Sequence, residues 1–88
     1  MRLPRDGAEY AHLTFTALPV AATIEASLDR EAWSPVAFDG DEGLVLLRGP
    51  EASTDDGLLV PEEDAILWVR AVGDVETVVR NAGTVSLY

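Results

Sequence analysis

The chain has 88 residues, 48% of them hydrophobic, no cysteine, and 16 acidic residues against six arginines and no lysine, a formal net charge of −10. That length fits one domain with a limited core, and the apolar content is too high for a disordered chain. Without cysteine there is no disulfide and no thiolate metal site, and the charge argues against direct contact with nucleic acid or an anionic membrane, both of which call for a basic surface.

Residues 1–8 contain Pro4 and the turn pair Asp6-Gly7 and read as a lead-in arm. From Tyr10 to Leu18 the chain alternates, with Ala11, Leu13, Phe15 and Ala17 on one face and Tyr10, His12, Thr14 and Thr16 on the other. That period of two marks a half-buried strand, ended by Pro19. Thr23 to Phe38 reads as two strands joined by a polar turn at Asp29-Arg30-Glu31, with Ile24, Ala26 and Leu28 on one face. Trp33 and Phe38 have opposite parity with Pro35 between them, so the returning strand either changes face at a bulge or lies at a sheet edge.

Asp39 to Gly43 is a turn, and Leu44-Val45-Leu46-Leu47 is an apolar run expected to be covered on both faces. Glu51 to Gly57 is the most polar stretch, and residues 50–57 are expected to form a flexible loop. Leu58 to Val60 is a short strand ended by Pro61, followed by the charged turn Glu62-Glu63-Asp64. Ala65 to Val72 sets Leu67, Val69 and Ala71 against Ile66, Trp68 and Val72. Gly73-Asp74 fits a two-residue hairpin turn into the strand carrying Val75, Thr77 and Val79. Asn81-Ala82-Gly83 reads as another turn before a last strand to Tyr88. About seven to eight short strands without helical periodicity predict an all-β fold, a small antiparallel sandwich or partly open barrel.

The residues offer little catalytic equipment. His12 is the one histidine, among threonines on a polar face, and reads as a structural or surface residue. Asp39, Asp41 and Glu42, Asp55-Asp56, and Glu62-Glu63-Asp64 carry oxygen ligands suited to calcium, yet none has the spacing of an EF-hand loop. No enzyme activity, cofactor or metal is therefore expected. Trp33 reads as a core anchor. Trp68, in a strand apolar on both faces, is the better candidate for meeting a partner.

Ile24-Glu25-Ala26-Ser27-Leu28-Asp29, then Trp33, Pro35 and Val36, are followed by Leu47-Arg48-Gly49-Pro50-Glu51-Ala52. Later come Leu67-Trp68-Val69-Arg70-Ala71-Val72 and Glu76-Thr77-Val78-Val79-Arg80-Asn81-Ala82-Gly83. Together these resemble small virion structural proteins of tailed bacteriophages that infect actinobacteria. Where such proteins carry a glycine-rich turn before the tryptophan, this chain has Asp29-Arg30-Glu31-Ala32.

The resemblance implies a non-enzymatic component of the head–tail connector region or a capsid decoration. It would dock on capsid, portal or neck proteins, in repeated copies of a symmetric assembly. Its place would be the virion, and the host cytoplasm before assembly. No apolar run approaches the roughly 20 residues of a membrane span, and MRLPRDGAEY lacks a signal-peptide apolar segment, which fits that expectation. Tyr10, Trp68 and Tyr88 are the expected interface residues. Two rival readings are a sugar- or peptide-binding module using Trp68 and the Glu51–Gly57 loop, and an acidic inhibitor of a basic host protein.

Overall fold

The computed structural model describes residues 1–14, 23–40, 42–73 and 77–88. Among them there is no helix, and the strands are β1 (Arg2–Leu3), β2 (Ala8–Thr14), β3 (Thr23–Ser27), β4 (Ser34–Pro35), β5 (Ala37–Asp39), β6 (Glu42–Arg48), β7 (Leu58–Leu59), β8 (Ala65–Val72) and β9 (Thr77–Leu87). They form a five-stranded sheet in the order β1-β9-β8-β3-β4 and a second sheet in the order β2-β6-β5, with β7 also pairing β6. The fold is the all-β architecture that the alternating segments predict.

The alternation explains the packing. On β8, Ala65, Leu67 and Val69 are buried, while Ile66, Trp68 and Arg70 face away. On β3, Ile24 and Ala26 point the same way as the buried β8 residues. The second sheet contributes Ala11, Val45 and Leu47, and the inner faces meet in one core with Leu3, Val36, Val60 and Val85. Burial of these side chains supplies the main stabilising term, about 1.5–3 kcal/mol for each fully buried Val or Leu.

Several expectations need correction. The Leu44–Leu47 run is not covered on both faces: β6 alternates, with Val45 and Leu47 buried and Leu44 and Leu46 only half-buried. The segment Trp33–Asp39 is not one returning strand. Ser34–Pro35 forms the edge of the larger sheet and Ala37–Asp39 the edge of the smaller one. Buried Val36 is the corner between them, its N–H bonding Ile24 O at 3.0 Å. Pro35, without an N–H, sits where an edge strand tolerates it.

Asn81-Ala82-Gly83 is not a turn either, because β9 runs unbroken from Thr77 to Leu87. Ile66 pairs Thr84 and Trp68 pairs Asn81, so Ala82 and Gly83 together oppose Leu67 in a β-bulge. Gly83 takes φ +124°, and its N–H bonds Asn81 Oδ1 at 2.8 Å. The backbone freedom of Gly83 serves a bulge within the strand and not a chain reversal.

The lead-in arm is a working part of the sheet. β1 runs parallel to the end of β9, with Leu3 fully buried opposite Leu87. Ser86 N–H bonds Met1 O, Tyr88 N–H bonds Leu3 O, and Arg5 N–H bonds Tyr88 O. The chain then crosses between sheets over Gly49, whose N–H bonds Gly7 O at 2.9 Å. A Cβ at Gly49 would lie 2.2 Å from Arg5 O, so only glycine fits this crossing.

β8 and β9 are antiparallel neighbours with Val72 opposite Thr77. The expected turn residue Asp74, the strand residues Phe15 to Leu18 and the candidate calcium ligand Asp41 lie outside the described residues.

Candidate functional site

The outer face of the five-stranded sheet groups Trp33 and Trp68 with Arg30, Arg70 and Glu25. Its base is the pairing of β3 with β8, which sets Glu25 opposite Arg70 and Ser27 opposite Trp68. Cross-strand partners share a face, so these four side chains lie on one side. Arg70 reaches Glu25 Oε1 through Nε and Nη2, each at 2.8 Å.

Residues 28–33 fold back over this face. The Asp29 carboxylate accepts hydrogen bonds from Glu31 N–H at 2.8 Å and Ala32 N–H at 2.9 Å, and from Ser27 Oγ at 2.9 Å. Ser27 Oγ in turn accepts from Asp29 N–H and Arg30 N–H. The backbone N–H groups of Ala32 and Glu31, then the Ser27 hydroxyl, hold the Asp29 carboxyl below its ordinary range by favouring the anion. Ser27 is fully buried, because the loop it organises lies on top of it.

Within this loop Arg30 adopts φ +64°, among the described residues the one non-glycine residue with positive φ. A left-handed arginine is uncommon, and it persists where surrounding contacts over-determine it. Here the Ser27 and Asp29 bonds do so. The outcome is placement: the Arg30 guanidinium lies 4.8 Å from the centroid of the Trp68 ring. Trp33, at the loop's far end, covers Arg70 at 4.2 Å. Two Arg–Trp stacks, one with its arginine in the loop and one with its arginine in the sheet, fasten residues 28–33 to β8. Trp33 is thus half-buried over Arg70 and is not the core anchor expected for it.

Beside Trp68 an open groove of about 540 Å³ runs along Leu28, Ile66 and Trp68, with Pro61 and the acidic turn Glu62-Glu63-Asp64 at its rim. Ile66 is 36% exposed. Glu62 is engaged by Arg5, whereas Glu63 and Asp64 have no ion-pair partner among the described residues. An apolar floor beside free carboxylates suits an apolar side chain flanked by basic ones.

The three expected interface residues lie apart. Trp68 forms a wall of this groove. Tyr10, 53% exposed, stands on the outer face of the smaller sheet at β2. Tyr88, 61% exposed, ends the chain, with the Arg2 guanidinium 4.9 Å from its ring centroid. Arg30 and Ile66 escaped the sequence reading. Ile66 had a signal, since it shares the parity of Trp68, but Arg30 had none, because its position depends on the left-handed turn.

His12 is exposed, with Nδ1 2.7 Å from Glu42 Oε1. No group of three or more His, Asp or Glu residues among those described is placed to hold a metal ion. Comparison with protein-family models, with curated proteins and with solved structures finds no match.

Proposed function

We propose that this domain is a non-enzymatic docking protein of a tailed-phage virion, binding other virion proteins through the Trp68 face. The observation that carries the docking half is the Arg30–Trp68 stack beside the acidic groove. A strained residue and a hydrogen-bonded loop are maintained at the surface, where they add little to the core but give Trp68 and Ile66 a rigid frame. Such preorganised aromatic residues are the kind that dominate protein interfaces. The groove's free carboxylates favour a basic partner segment.

The virion half rests on the resemblance of Ile24–Asp29, Leu47–Ala52 and Leu67–Val72 to phage structural proteins. The head–tail connector region and the capsid surface are the two positions it implies, and the partners would be capsid, portal or neck proteins. Sugar binding is less favoured, since Arg30 already lies over the Trp68 ring where a sugar would stack. The acidic-inhibitor reading is weakened by the internal use of Glu25, Asp29, Glu42 and Glu62.

Mass spectrometry of purified virions tests the setting: the protein should be present at a copy number matching a symmetric ring or lattice, and its absence overturns the reading. Co-sedimentation with particles tests the face. Trp68→Ala should weaken attachment by about tenfold to a hundredfold. Unchanged attachment would remove Trp68 from the interface.

A further inference from the structure

The edges of the two sheets open onto one cleft. β9 is paired to β8 from Thr77 to Val85 around its bulge, and on its other side β1 covers Ser86 and Leu87 while the Met1 amino group bonds Thr84 O. From Thr77 to Gly83 its outer edge has no strand partner among the described residues. β2 is likewise the terminal strand of the smaller sheet, paired to β6 on one side from Ala8 to Thr14. Tyr10 to Leu13 from β2 and Ala82 to Val85 from β9 line a cleft of about 370 Å³, with buried Leu67 at its floor. Open edges of this length are templates for strand addition.

The charges on these edges identify an occupant. Arg80 is the one charged residue of β9, and among the described residues its guanidinium bonds the neighbouring Val79 O. Glu9 is exposed on β2. Neither has an ion-pair partner among the described residues, where the other acid–base contacts are Arg5–Glu62, His12–Glu42 and Arg70–Glu25.

We propose that the occupant is a second copy of this chain, with β2 of each copy pairing antiparallel to β9 of the other. Setting Glu9 opposite Arg80 places Tyr10 opposite Val79 and Ala11 opposite Val78, so apolar residues meet on both faces. Under a single two-fold axis, one such pairing implies the other, and the two together close the assembly. The pairing covers two edges that have no strand partner among the described residues, and such edges invite uncontrolled association. It involves neither the Trp68 face nor the virion setting, and it goes beyond the proposed function.

Sedimentation equilibrium of the full chain tests it. The wild type should be dimeric. Glu9→Arg and Arg80→Glu should each raise the dimer dissociation constant by about tenfold, because each turns two attractive contacts into like-charge contacts. The double variant E9R/R80E should restore the wild-type value. Both positions are exposed, so circular dichroism should be unchanged in every variant. Trp68→Ala should leave the dimer intact while weakening attachment to particles, which separates this proposal from the docking reading. A wild type that stays monomeric at millimolar concentration overturns the proposal. So does a dimer indifferent to both reversals, or a double variant no better than the singles.

Discussion

At the scale of single residues, Ser27, Asp29 and Arg30 show how a short polar run becomes a defined surface. Ser27 is buried and serves two backbone N–H groups and the Asp29 carboxylate. Ser27→Ala should cost about 1–3 kcal/mol, since its partners lose a buried bond without gaining water. Urea denaturation would measure it, and the midpoint should fall with no change in slope. Arg30→Gly should relieve the left-handed cost and keep the loop while removing the stack on Trp68, so stability should change by less than about 1 kcal/mol. Trp68 emission should nevertheless shift as the guanidinium leaves its ring.

The Asp29 carboxyl titrates below its ordinary 3.8 in the folded chain. Its stabilising contribution is therefore full above that ordinary value and is lost as pH falls through the lower folded value. Asp29→Asn should flatten the acid limb of stability in that window, and urea midpoints measured against pH would show it.

At the scale of elements, the period-two pattern of β8 decides which residues make the core and which make the site. Leu67→Ala should cost about 2–5 kcal/mol through loss of packing between the sheets, measured by thermal or urea unfolding. Ile66→Ala, one position away, should cost less than about 1 kcal/mol, because its side chain faces the groove. β9 shows the limit of the pattern. Its Asn-Ala-Gly segment has the composition of a turn, but its neighbour β8 continues past it, and the extra residue is absorbed as a bulge beside Gly83. Local composition reveals that the backbone must deviate there. Only the partner strand determines whether that deviation reverses the chain.

At the scale of the whole molecule, the two chain ends and the Gly49 crossing hold the sheets together. Leu3 is buried between them and the first residues bond along β9. Gly49→Ala should destabilise by about 1–3 kcal/mol, since the new methyl meets Arg5 backbone and the crossing must shift. A thermal midpoint lowered by several degrees would be the readout. An unchanged midpoint would mean that the crossing contributes little to cohesion.

Alternation along β2, β3 and β8 determined those strands and much of the core, because a period of two allows one face to be buried in any sheet, whereas the apolar run of β6 took its one-sided burial from the sheet it joins. Trp68 and its parity were legible for the same reason. Tertiary structure decided the rest. Val36 turns one apparent strand into the edges of two sheets, and the lead-in becomes β1 because its partner, β9, lies at the other end of the chain. Trp33 leaves the core because Arg70 waits beneath it on a strand far away in sequence. Arg30 joins the site only once buried Ser27 and Asp29 have bent the backbone into a conformation that its own side chain does not favour.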